Sequence, residues 1–181
     1  KRPLYIGQDV ERTVKGTDPT NPNAHQMGLK YRIQRSLKNV QGSCQWYAQA
    51  VTDNVGNYCT LLRTYYHRTP ALQPLMPWID KKAPKKVKKL KVDFDKKSGN
   101  IYLVWKAPKG KKPMDEVRSY AVYRYSRDEK IDIDSPDAAS HLVAITSDTR
   151  YQLVGNQLDM IFVVTALDRL HNESPLVKIR L

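Results

Sequence analysis

Apolar residues follow two different rhythms along this chain. Up to about residue 80, short apolar runs alternate with stretches of helical spacing; beyond it, most segments alternate at period two and are rich in β-branched and aromatic residues. The run Pro3 to Gly7 reads as a short buried strand ending in glycine, followed by the polar Gln8-Asp9-Val10-Glu11-Arg12. Thr17 to Asn23 is dense in turn formers, and Asn21 or Asn23 is placed to cap what comes next. From Gln26 to Asn39, the residues Leu29, Ile33, Leu37 and Val40 form one stripe, with Lys30, Arg32, Arg35 and Lys38 mostly off it. That spacing predicts an amphipathic helix with the leucine and isoleucine stripe inward. Val40 to Trp46 predicts a second strand, and Tyr58, Leu61, Leu62 and Tyr65 predict a second helix at i, i+3, i+4 and i+7. Strand, helix, strand, helix is the order of a parallel sheet.

The second rhythm predicts strands throughout. Val87 to Phe94 alternates, Ser98-Gly99-Asn100 is a turn, and Ile101 to Trp105 is the next strand. Further strands are predicted at Tyr120–Tyr125, His141–Ile145, Tyr151–Leu153, Met160–Ala166 and Pro175–Arg180. Seven short strands in roughly a hundred residues predict an antiparallel sandwich. The change of rhythm lies in Pro77 to Leu90, so the chain divides into residues 1–80, a lysine- and proline-containing linker at 81–86, and a sandwich at 87–181.

Charge sharpens that seam. The formal net charge is +13, but residues 81–112 hold thirteen lysines against two aspartates, while residues 113–181 carry eight basic against eleven acidic side chains. The basic window contains no arginine, and lysine lacks the planar fork that reads base edges. Phe94, Tyr102 and Trp105 fall there in strand alternation rather than as a stacking platform, so nucleic acid is disfavoured. A solvated junction and a sheet edge protected by lysine fit better, with salt-sensitive binding to polyanions as the alternative. Cys44 and Cys59 have neither metal-ligand nor disulfide-framework spacing and read as small buried side chains. His25, His67, His141 and His171 are widely separated, so neither a metal nor a cofactor is expected. No apolar run reaches the roughly 18 residues of a membrane span, and no hydrophobic leader opens the chain.

Two βα units cannot close a barrel alone. PLYIGQDVERT, VQGSCQWYAQAVTDN and YYHRTPALQPLMPWID together resemble the last two βα units of the glycoside hydrolase family ten-like barrels of gut Bacteroidetes. The resemblance implies a mixed fold: a βαβα remnant of a (β/α)8 barrel, its earlier units upstream of this chain, followed by an immunoglobulin-like sandwich. In such barrels the chemistry sits at the C-terminal ends of strands. The resemblance therefore implies Asp9 as one catalytic carboxylate, Glu11 as second choice, and Gln8, Gln45, Trp46 and Tyr47 as substrate contacts. The alternative for Asp9 or Glu11 is a hydrogen bond or ion pair to Arg12, and for Trp46 a place in the core. It also implies a carbohydrate substrate and a periplasmic, outer-membrane-associated or secreted location.

The strand-centre residues Y-L-V-W105, Y-A-V-Y-R124, F-V-V-T-A-L-D168 and N-E-S174 resemble a fibronectin type III domain. That implies Trp105 in the core with Tyr123 and Val163 facing it, and Phe162 where the family has a corner tyrosine. Two functions are then in competition. One is the C-terminal part of a glycoside hydrolase, inactive alone because its partner carboxylate lies elsewhere, with the sandwich as spacer or packing module. The other is a non-catalytic glycan-, polyanion- or protein-binding module. A bare barrel remnant would in either case invite self-association.

Overall fold

A computed structural model describes residues 2–15, 18–21, 23–110, 112–135, 137–155, 157 and 159–181. Thr17 and Pro22 of the turn-rich loop and Lys111 of the basic window lie outside the described residues. The chain forms two compact units, Lys1–Arg68 and Thr69–Leu181. No helix among the described residues is long and apolar enough to cross a membrane.

In the first unit, β1 (Leu4–Asp9) and β2 (Val40–Trp46) pair in parallel, in register from Tyr5 opposite Gly42 to Asp9 opposite Trp46. Parallel neighbours need a crossover, supplied by α1 (Val10–Val14) and α2 (Gln26–Ser36). After β2 come α3 (Ala48–Thr52) and α4 (Tyr58–Leu61), which runs on through a π-helical turn, Leu62–Tyr66. Val10, Val14, Met27, Tyr31, Ala50, Tyr58, Leu61 and Tyr66 form the core.

The two helices differ from their sequence patterns in an informative way. In α2 the buried residues are Met27, Gly28, Tyr31 and Gln34, whereas Leu29, Ile33 and Leu37 are exposed. Aromatic bulk won over aliphatic spacing: Tyr31 and Tyr58 share a hydrogen bond across the core, a tie that leucine cannot make. The cap of α2 is His25, whose Nδ1 accepts from the Met27 amide at 3.3 Å, while Asn21 is used one turn earlier to accept from the Asn23 and Ala24 amides. At the end of α4, the π turn (His67 N–H to Leu62 C=O, 2.8 Å) inserts one residue, so Tyr66 rather than Tyr65 reaches the core. Both cysteines are free, and Cys44 is exposed rather than buried because it points to the uncovered face of β2.

The second unit is a sandwich of antiparallel sheets. Its seven strands are β3 (Lys88–Phe94), β4 (Ile101–Lys106), β5 (Ser119–Ser126), β6 (Leu142–Thr146), β7 (Arg150–Leu153), β8 (Met160–Leu167) and β9 (Val177–Arg180). One sheet runs β3-β4-β7 and the other β6-β5-β8-β9; a short α5 (Ala138–His141) leads into β6. Between the sheets lie Val87, Leu103, Trp105, Tyr120, Val122, Phe162, Val164 and Ala166, with Trp105 edge-on to Tyr120 at 5.3 Å.

Tyr123 and Val163 do not face Trp105. They belong with Ala121, Tyr125, Leu142 and Leu167 to a second core on the opposite side of the four-stranded sheet, capped by Leu72, Ile131, Ile133 and Leu176. Both faces of β5 and β8 are buried, so alternation carries no information about which parity faces the partner sheet. Phe162 is fully buried near Tyr151, and the β8–β9 connection is tied instead by Glu173, which accepts from Tyr123 Oη at 2.8 Å and Thr165 Oγ1 at 2.6 Å. Burial pushes the Glu173 carboxyl above the usual range, and Asp134 adds to this.

The covering of that second face changes the division of the chain. Leu72 packs on the second core, the Asp80 carbonyl accepts from Asn172 Nδ2 at 3.5 Å, and Lys82 pairs with buried Asp115. The stretch 69–80, which contains PALQPLMPWID, is therefore part of the compact unit that holds the sandwich, rather than of the unit that ends at Arg68 as the sequence division at residue 80 expects.

Candidate site at the strand ends

Parity on β1 and β2 sorts the expected site residues into two groups. Gln8 pairs in register with Gln45 and Asp9 with Trp46, so each pair shares one face of the two-stranded sheet. Gln8 and Gln45 lie on the helix-packed side: Gln8 is buried, and Gln45 Nε2 donates to Tyr31 Oη at 2.8 Å. There Gln45 serves as a tie between sheet and helix. The other face carries Tyr5, Gly7 and Asp9 from β1 and Gly42, Cys44 and Trp46 from β2. It is open: Trp46 is 70% exposed and Tyr5 52%, and a methyl group built on Gly7 would touch nothing within 4 Å. Gly42 lies beneath the Tyr5 ring, where a Cβ would come within 2.9 Å of it and push the ring aside.

Asp9 stands at the C-terminal end of β1 and also caps α1. Its Oδ1 accepts from the Arg12 amide at 3.0 Å, and Oδ2 lies 3.8 Å from Arg12 Nε. The structural alternative for Asp9 is thus the one seen, a cap and ion pair to Arg12, and these contacts leave the carboxylate half-exposed. Glu11 is turned away. It sits within α1 and its carboxylate binds Lys15 Nζ at 2.6 Å, so it forms no pair with Asp9 on the open face. Tyr47 follows Trp46, its ring 6.2 Å from the indole.

What the residue pattern did not reveal is the support behind this face. Tyr31 Oη accepts from Gln45 and shares a 2.5 Å hydrogen bond with Tyr58 Oη, and burial raises both phenol pKa values, keeping them neutral. The one available signal was the tyrosine-rich composition of the helices. Among the described residues, no three His, Cys, Asp or Glu side chains cluster as a metal site. Chemically, the face offers one oriented carboxylate beside an exposed indole, a combination suited to a polar, ring-bearing ligand.

The chain is similar to the glycosyl hydrolase YngK of Bacillus subtilis. Over 175 residues the two are 30% identical, a match that takes in 94% of this chain and 32% of the relative. The chain thus spans about a third of that relative's length. No family model matches. Among solved structures, a Fn3-like protein from Clostridium thermocellum aligns at a TM-score of 0.34 with 21% identity, covering 55% of this chain and 94% of that one. Titin kinase with its flanking domains aligns at 0.37 and 18% identity, over 52% of this chain and 16% of that one. The sandwich described above stands on its own strand order.

Proposed function

We propose that β1, β2 and their helices are the closing units of a (β/α)8 barrel in a glycoside hydrolase that cleaves glycosidic bonds of a polysaccharide or oligosaccharide. The carrying observation is the parallel register that puts Asp9 opposite Trp46 on an uncovered face at the C-terminal ends of the strands, where barrel enzymes build their sites. The 30% identity to a glycosyl hydrolase supports the reaction class. Asp9 is the acid/base or nucleophilic carboxylate, and the second carboxylate comes from a strand outside this chain. Trp46 stacks on a sugar ring, with Tyr47 and Tyr5 flanking it. The sandwich is the spacer or packing module, and the family resemblance goes with a periplasmic, outer-membrane-associated or secreted setting.

The test is hydrolysis of oligosaccharides by the protein encoded by the complete reading frame. Asp9→Asn should lower kcat by about 10²–10⁴-fold, the scale of a lost acid–base group. Trp46→Ala should act mainly on KM. Hydrolysis unchanged by Asp9→Asn would overturn the assignment, as would turnover by residues 1–181 alone.

A further inference from the structure

Helix α2 reaches both strand ends of the candidate site through two consecutive residues. Lys30 and Tyr31 stand about 100° apart around the helix, so one meets α1 and the other β2. Lys30 is half-buried, and its Nζ donates to Thr13 Oγ1 at 2.7 Å. Thr13 is buried in turn, and its hydroxyl donates to the Asp9 carbonyl at 2.5 Å. An ammonium only donates and a carbonyl only accepts, so the direction of this chain is fixed.

Tyr31 acts on the other strand. Its buried hydroxyl accepts from Gln45 Nε2 at 2.8 Å, meets Ser43 of the same strand, and shares the 2.5 Å hydrogen bond with Tyr58 Oη of α4. Gln45 immediately precedes Trp46, and Asp9 lies opposite Trp46 in the parallel register. One turn of one helix therefore holds both backbones from which the carboxylate and the indole project.

Packing accounts for part of this arrangement. The bond from Thr13 to Asp9 is the i−4 back-bond that threonine commonly makes in a helix, and the bond between Tyr31 and Tyr58 satisfies two buried hydroxyls. It does not account for a half-buried ammonium directed at a neutral hydroxyl, because partial desolvation penalises a charge that an apolar side chain there would not carry. Nor does it require that Tyr31 be tied to the last residues of β2.

We propose that Lys30, Thr13 and Tyr31 are positioning residues through which α2 sets the placement of Asp9 relative to Trp46. Lys30 and Thr13 fix the Asp9 backbone, and Tyr31 fixes the end of β2 through Gln45. The proposal rests on the glycosidase reading of Asp9 and Trp46. A reacting group misplaced by about 1 Å costs about 10²-fold in rate, whereas a misplaced indole weakens sugar stacking. The two chains of hydrogen bonds therefore act on different kinetic constants.

The experiment is steady-state hydrolysis of oligosaccharides by the protein encoded by the complete reading frame. Two readouts that need no substrate accompany it, the fluorine resonance of fluorotryptophan at Trp46 and the carboxyl carbon resonance of Asp9 in the 181-residue chain. Thr13→Val should lower kcat by about tenfold or more at nearly constant KM and shift the Asp9 resonance. Lys30→Met should do the same to a smaller extent, and Thr13→Ser should restore the rate by returning the hydroxyl. Tyr31→Phe should raise KM about three- to tenfold, the worth of one hydrogen bond, with kcat held, and should shift Trp46 while Trp78 and Trp105 stay in place. Arg32→Gln removes a bond of the same helix, to the Asn23 carbonyl at 3.1 Å, that reaches neither strand end, and should change none of these readouts. Equal effects from Arg32→Gln, equal factors on kcat and KM from Thr13→Val and Tyr31→Phe, or unmoved Asp9 and Trp46 resonances would each overturn the proposal. A complete protein that hydrolyses no oligosaccharide overturns the glycosidase reading instead, and the two resonances then decide the positioning by themselves.

Discussion

The open face of β1–β2 and the four-stranded sheet of the sandwich both display rows of large side chains, yet one is bare and the other covered twice. On β5 and β8 each parity has its own core, with Phe162 and Val164 on one side and Tyr123 and Val163 on the other. On β1 and β2 one parity packs on helices while Tyr5 and Trp46 remain in solvent beside Asp9. Exposed aromatics on an ordered strand face mark a surface made for something else to occupy. Buried ones mark the cohesion of the fold.

Substitutions can break that contrast directly. Phe162→Ala should cost about 3–5 kcal/mol, the scale for a deleted core phenylalanine, whereas Trp46→Ala should stay within about 0.5 kcal/mol, as for a surface site; urea denaturation measures both. Equal losses would mean that the β1–β2 face is not free.

A second contrast is in pH dependence. Burial lowers the pKa of His25, which must remain neutral to accept from the Met27 amide. A depressed histidine contributes stability above its unfolded value of 6.5 and loses it as pH falls through the folded value. Acidification below about pH 6.5 should therefore weaken the first unit by about 1 kcal/mol, the worth of a cap, followed by amide exchange in α2. Glu173 acts in the opposite direction. Its raised pKa means stability present below its unfolded value of 4.5 and lost as pH rises through the folded value. Glu173→Gln keeps an acceptor for Tyr123 and Thr165 and should flatten that decline, with a small rise in the thermal midpoint at neutral pH. The smallest expected effect belongs to Ile33→Ser, which should leave stability within about 0.5 kcal/mol because the residue is 60% exposed. It should reduce any concentration-dependent association seen by sedimentation.

The strands were legible because their signals are local. Turn formers such as Ser98-Gly99-Asn100 and β-branched runs such as Met160–Ala166 name a strand without reference to anything distant. The parity of β5 was not legible, since a strand buried on both sides reads apolar at every position. The α2 stripe misled for a related reason: Leu29, Ile33 and Leu37 are the more apolar set, but the sheet was met by Met27 and Tyr31. At the candidate site, the strand-end position of Asp9 and Trp46 followed from the order of elements. That Gln8 and Gln45 point to the helices required the register, and the carboxylate of Glu11 was claimed by Lys15 within its own helix.

By itself the sequence determined the strands of both units, the helices α2 and α4, their order and the lysine-rich window, all of which depend on neighbours within a few residues, while the short helices α1, α3 and α5 went unread. Only tertiary structure decided which faces are covered. The segment 69–80 packs its Leu72 against the sandwich's second core, and Tyr31, Tyr58 and Gln45 meet from three separate elements. Burial is a property of what arrives from elsewhere in the chain, and no local pattern encodes that arrival.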